Sequence, residues 1–138
     1  MKISIITVTF NSSSVINNCL DSVKAQKYDN IEHIVIDGGS TDGTLLLLES
    51  KREQLAALVS EPDKGIYDAM NKGIEIATGD IIGFLNSDDF YSSNDVISKM
   101  AATFEEEPSL DACYADLIYT DRLNISKNIR YWKSSKFT

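Results

Sequence analysis

The pair Asp88-Asp89, in the run Asn86-Ser87-Asp88-Asp89, suggests the most specific chemistry in this chain. Adjacent carboxylates repel, and keeping both ionised beside a buried sheet costs free energy unless positive charge sits there. A divalent cation carrying a diphosphate supplies that charge. Mg2+ and Mn2+ prefer oxygen ligands and take one or two carboxylates plus phosphate oxygens. Asp88 and Asp89 are therefore candidate metal ligands. In isolation the pair reads better as a solvated loop capping the next helix, because Asp is favoured in caps and turns.

Neighbouring clusters shift that balance. Asp37-Gly38-Gly39-Ser40-Thr41-Asp42-Gly43-Thr44 places glycines where backbone can come close to a ligand, and Asp37 where it could accept bonds from a base or ribose. It is no G-x-G-x-x-G fingerprint, so a dinucleotide reading is poor. The plainer reading is a tight turn, with Asp42 in the first turn of a helix. In the segment Glu61 to Gly73 the chain turns into a further helix N-terminus. Lys64 there could help neutralise phosphate, beside the partial positive charge of the helix end. Alternatively Asp63 and Asp68 only cap that helix, with Lys72 solvated.

These clusters must be positioned by the elements between them. Ile3 to Val8, Ile31 to Ile36, Ala57 to Ser60 and Ile81 to Leu85 read as strands. Helical spacing follows each: Val15 to Val23, capped from Asn11 to Ser14; Leu45 to Leu48, capped by Ser40 or Thr41; Ile66 to Ala77; and Val96 to Phe104, capped from Ser92 to Asn94. Ile81 to Leu85 is almost wholly apolar, which predicts a strand buried on both faces in mid-sheet. Ala112 to Tyr119 and Ile125 to Trp132 could form a hairpin. Alternating strands and helices predict an α/β fold, a mainly parallel twisted sheet with helices on both faces. The strand ends then open on one edge, where ligands of such folds bind. Thr9-Phe10-Asn11, Asp37 to Ser40, and Asn86 to Asp89 all fall there.

Composition limits the partners. The chain has 138 residues, one domain's worth, and a net charge of -8. That acidity argues against a nucleic acid polymer and makes any phosphate ligand depend on helix N-termini or a bound cation. No apolar run approaches a membrane-spanning length, and the N-terminus reads as a first strand rather than a signal peptide. The expected place is the cytoplasm, with the inner face of a membrane left open. Cys19 and Cys113 read as small buried apolar residues and not as a disulfide. His33, beside an apolar run, reads as structural or surface. The tail from Lys127 to Phe137 is basic and aromatic, unlike the rest.

Taken in order, Ser4 to Asn11, Ile36 to Thr44, Asp63 to Gly73 (DKGIYDAMNKG), Thr78-Gly79-Asp80, and Phe84 to Asp89 (FLNSDD) resemble family 2 glycosyltransferases. The likeness runs from Ile3 to about Tyr119, and the motifs are specific together rather than singly. It implies a GT-A fold, Rossmann-like in nucleotide binding, spanning residues 1–120. It also implies inverting transfer of a sugar from a nucleoside diphosphate, with a UDP-sugar expected as donor. The acceptor would be a glycan or lipid-linked molecule, since relatives with this segment often build cell-envelope polysaccharides. Thr9, Phe10 and Asn11 would pack around the base and Asp37 would bond it. Asp89 would ligate Mn2+ or Mg2+, and Asp88 would reach ribose or metal. Lys64, Asn71 and Lys72 complete the expected donor-binding set.

One departure stands out. The family's carboxylate base, which deprotonates the acceptor hydroxyl, lies well downstream of the D-x-D type motif. Here Asp95, Glu105 to Glu107, Asp111, Asp116 and Asp121 follow it, none in a matching context. The expectation is a chain truncated at the start of the acceptor side, residues 121–138, with the base and any peripheral membrane contact beyond Thr138. The alternatives are a non-catalytic donor-binding domain and a nucleotidyltransferase. The latter usually has a Gly-rich basic loop after the first strand, and Thr9 to Ser14 holds no glycine or basic residue.

Overall fold

The computed structural model describes residues 1–136, which form two compact units: one from Met1 to Ala101, the other from Ala102 onward. In the first unit, β1 (Ile3–Thr9), β2 (Ile31–Asp37), β3 (Ala57–Ser60) and β4 (Ile81–Phe84) form one parallel sheet in the order β3-β2-β1-β4. Register runs Ile3 opposite Ile31 to Thr9 opposite Asp37 between β1 and β2, and Ile3 opposite Ile81 between β1 and β4. The order reverses at β1. The crevice between β1 and β4 is therefore the switch point, where ligands of open α/β sheets bind.

The period-two alternation of β1 and β2 sorts two cores. Ile3, Ile5 and Val35 face α1 (Ile16–Lys24), α2 (Thr44–Ser50) and the start of α4 (Val96–Glu106), packing with Ile16, Leu20, Leu48 and Ile97. Ile6, Val8, Ile34 and Ile36 face α3 (Ile66–Ile76) and pack on Ala69. Gly73 allows α3 this close approach: a Cβ there would lie 2.5 Å from Cγ2 of the buried Ile6. The second unit holds the antiparallel pair β5 (Leu117–Thr120) and β6 (Asn128–Trp132), the expected hairpin with shorter strands. Part of the basic, aromatic tail reading falls on Phe137, outside the described residues.

Several expectations are corrected. β1, not β4, is the strand buried along its whole length. β4 lies at the edge of the sheet, with Ile82 38% and Phe84 46% exposed, because an apolar run records hydrophobicity but not the number of strand neighbours. None of the expected hydroxyl caps starts α1 or α2. α1 begins after Val15, with the Ser12 carbonyl accepting from Val15 and Ile16, while the Ser12 and Ser13 amides are held by Thr44 Oγ1 and Asp42 Oδ2 of another loop. α2 begins at Thr44, later than Ser40 or Thr41 would start it, since those residues are drawn into the Asp37 and Asn11 networks. At the start of α4, Gln26, just past the end of α1, accepts the Ile97 amide at 3.0 Å. Cys113 is only half-buried, unlike Cys19.

At the opposite end of the sheet, Glu32 clamps three segments. It accepts from Ser4 Oγ (2.6 Å), Thr78 N (2.8 Å), Thr78 Oγ1 (2.9 Å) and Lys2 Nζ (3.0 Å). Burial alone would raise its carboxyl, but these bonds outweigh it and hold it at about 2. Gly79 passes so near β1 that a Cβ would lie 2.7 Å from the Ser4 amide. Asp80 accepts the Lys2 amide at 2.7 Å. The Thr78-Gly79-Asp80 motif is thus a structural clamp, remote from the strand ends that carry the other motifs.

His33 is buried, and its Nε2 shares a 3.0 Å hydrogen bond with Thr7 Oγ1. Burial holds the imidazole down at about 4, from an ordinary 6.5. The unfolded chain binds the extra proton first, so this stabilisation is full above about pH 6.5 and is lost as pH falls towards 4. At roughly 1.4 kcal/mol per pH unit, about 3 kcal/mol is at stake. Urea midpoints should fall across that window in the parent and stay flatter in His33→Gln. An equally steep variant profile would refute the assignment.

Candidate functional site

Three loops meet at the C-terminal edge of the sheet, and hydrogen bonds stitch them together. The loop after β1 enters a left-handed turn at Asn11, φ 48°, a conformation Asn tolerates better than most residues. The Asn11 amide donates to Ser40 Oγ (2.8 Å), and its Oδ1 accepts from the Thr41 amide (2.9 Å). The Ser12 amide donates to Thr44 Oγ1 (2.8 Å). The Ser13 amide donates to Asp42 Oδ2 (3.1 Å), while Asp42 Oδ1 accepts from Thr44 N and Oγ1. Hydrogen bonds from Thr44 and Ser13 outweigh desolvation and hold the Asp42 carboxyl well below the usual range. Much of the Asp37-to-Thr44 motif therefore works as scaffold for the β1 and β2 loops.

The β4 loop joins them through Ser87, whose buried hydroxyl shares a 3.0 Å bond with Ser12 Oγ. Asn86 to Asp89 form a turn closed by the Asp89 amide on the Asn86 carbonyl (3.0 Å), leaving Asp88 and Asp89 exposed at its tip. Desolvation first, and then the charge of Asp88, hold the Asp89 carboxyl above the usual range. A cation placed there would reverse both costs. Among the described residues no cluster of three His, Cys, Asp or Glu forms a metal cage. Mg2+ or Mn2+ coordination would need to be completed by water and by ligand phosphates, which is how these ions are usually held at phosphate sites. The donor set fits a metal shared with a diphosphate.

The other expected site residues are placed unequally. Thr9 is 5% exposed, and its Oγ1, buried at the end of β1, has no hydrogen-bond partner among the described residues. An orphaned buried hydroxyl is uncommon and is open to a ligand group. Phe10 stands 60% exposed beside it. Asp37 sits at the end of β2 as expected, but fully buried: its oxygens accept from Ser40 Oγ (2.5 Å), Ser40 N (3.0 Å) and Ser60 Oγ (2.7 Å). Lys64 is exposed, with its amide on Asp68 Oδ2 (3.0 Å). Lys72 Nζ pairs with Glu61 (2.8 Å) and, more loosely, Asp68 (3.6 Å), so its charge is already engaged. Asn71 is exposed on α3. Sequence reasoning missed the Ser12–Ser87 bridge and the place of Ser60; isolated serines in loops carry no signal of their partners. A cavity of about 690 Å³ near His33, Lys51 and Gln54 includes none of the expected site residues.

The parallel sheet in this strand order, with a carboxylate turn at its switch point, is an α/β fold of the GT-A kind. The chain matches the family model "Glycosyl transferase family 2" over residues 4–138, and it belongs to that family. It is 38% identical over 132 residues to a PGL/p-HBAD biosynthesis glycosyltransferase of Mycobacterium bovis, covering 93% of this chain and 49% of that protein. It is similar to Staphylococcus aureus TarS in complex with UDP-GlcNAc, with TM-score 0.71 and 29% identity, over 78% of this chain and 32% of that one. It is also similar to the mannosyltransferase PcManGT of Pyrobaculum calidifontis in complex with GDP-Man and Mn2+, with TM-score 0.71 and 27% identity, over 83% and 35%. The chain spans about a third to a half of the length of the curated relatives it matches. No helix among the described residues is long and apolar enough to cross a membrane.

Proposed function

We propose that this chain carries the donor and metal site of an inverting glycosyltransferase that takes a UDP-sugar and serves a glycan or lipid-linked acceptor at the cytoplasmic face of a membrane. The observation that carries the reading is the convergence of the Asp88-Asp89 turn with the β1 and β2 loops at the switch point, locked by the Ser12–Ser87 and Asn11–Ser40 bonds. Asp89 holds Mn2+ or Mg2+, and Asp88 reaches the metal or the ribose. Thr9, Phe10 and Asn11 border the base, with Thr9 Oγ1 free to donate to a base oxygen. Asp37 shapes that pocket through Ser40 and Ser60. Lys64, just before α3, is assigned to the phosphates together with Asn71 and Lys72 on α3. A divalent cation bound there offsets charge on the departing diphosphate. No residue of this chain is assigned as the general base.

Support comes from the relatives: a neighbour bound to UDP-GlcNAc and another bound to GDP-Man with Mn2+. Calorimetric titration of UDP should show binding that Mn2+ strengthens and EDTA weakens. Absence of UDP binding at any metal concentration would overturn the reading. Tighter binding of GDP than UDP would overturn its uridine part. Failure to hydrolyse a bound UDP-sugar would leave a binding module in place of an enzyme.

A further inference from the structure

Asp63 offers the open carboxylate that Asp37 does not. Asp63 follows β3 and precedes α3, half-buried. Its Oδ1 accepts the Gly65 amide at 2.8 Å, which fixes the side chain in a tight local turn. Its Oδ2 has no hydrogen-bond partner among the described residues and lies over Gly38: a Cβ at position 38 would meet it at 2.6 Å. Gly38 in turn continues the strand pairing, donating its amide to the Thr9 carbonyl at 2.9 Å. Gly38 is not among the glycines with a left-handed φ, so its backbone would accept a side chain. A side chain there would push the Asp63 carboxylate out of the space it fills. The chain thus brings a free carboxylate oxygen from the β3–α3 loop to the end of β2, while Asp37, one residue before Gly38, is sealed by Ser40 and Ser60.

We infer that the Asp63 carboxylate, seated over Gly38, is the group that recognises the donor's base, accepting the imino N–H of a uracil-type or guanine-type ring. This rests on the nucleotide-sugar reading given above. An ionised carboxylate only accepts, so it selects rings that present an N–H and disfavours cytosine, whose N3 is itself an acceptor. A hydrogen bond to a charged group contributes about ten- to a hundredfold in affinity.

The test uses Asp63→Asn and Gly38→Ala. In Asp63→Asn the side-chain amide keeps an oxygen for the Gly65 N–H and turns an N–H of its own towards the base. The methyl of Gly38→Ala displaces the carboxylate without touching its charge. Affinities for UDP and CDP are measured with Mn2+ present, and melting curves confirm folding. The parent should prefer UDP. In each variant UDP affinity should fall about ten- to a hundredfold, and CDP affinity should hold or rise. Unchanged UDP affinity in both variants would overturn the inference. Equal losses of UDP and CDP would also overturn it, pointing to ribose contact or to loop support. A parent that binds neither nucleotide would instead sink the underlying donor reading.

Discussion

Asp89→Ala should cut metal-dependent UDP affinity by at least about a hundredfold while the protein stays folded. Loss of a mere outer-shell partner costs about ten- to a hundredfold in metal affinity, and a direct ligand sits at or beyond the top of that range. The fold should tolerate the change because the turn is closed by the Asp89 backbone amide, which Ala retains. The carboxyl is itself held above the usual range by desolvation and by Asp88, so its removal relieves repulsion. The melting temperature should therefore hold or rise slightly. Calorimetry with UDP, with and without Mn2+, reads the effect. If UDP binds the variant as tightly as the parent in Mn2+, Asp89 is no ligand, and the turn reverts to a solvated helix approach.

Asp37→Ala should behave in the opposite way, as a stability variant first. It strips three hydrogen bonds from a fully buried carboxylate and leaves the Ser40 and Ser60 hydroxyls and the Ser40 amide without their acceptor. Buried groups left unpaired cost about 1–3 kcal/mol each, and with partial rearrangement the loss should come to about 3 kcal/mol. That corresponds to a fall in melting temperature of roughly 10 °C for a domain of this size. Nucleotide affinity should drop with it, because Ser40 also anchors the Asn11 amide. A variant that keeps its melting temperature and loses only uridine affinity would restore Asp37 to direct contact with the base. Set beside Asp63→Asn, the pair separates a residue that builds the pocket from one that faces it.

Much of this architecture is legible in the residues. β-branched runs of strand length and helical apolar spacing locate all four parallel strands and their helices, because burial of one face is written directly into side-chain periodicity. Edge and centre are not written there. Ile81 to Phe84 is as apolar as a central strand, yet β4 has one neighbour in the described sheet. Helix starts depart from expectation for a related reason. Ser12, Ser13, Ser40 and Thr41 have the chemistry of caps, but each finds a loop partner outside its own helix that competes for its polar groups.

The same division runs through the candidate site. The kinds of residue and their order along the chain determined the class of fold, the edge on which its polar clusters gather, and the carboxylate pair suited to a cation. These follow from local chemistry and from the fixed hand of parallel crossovers, which bring strand ends to one edge. Only the tertiary structure decided which carboxylate is open. Asp37 and Asp63 are the same residue type in equally polar motifs, but Ser60 and Ser40 close one of them, and Gly38 leaves room for the other. Exposure and hydrogen-bond saturation depend on what the rest of the chain places nearby, and those partners lie 3 to 25 positions away with no pattern connecting them.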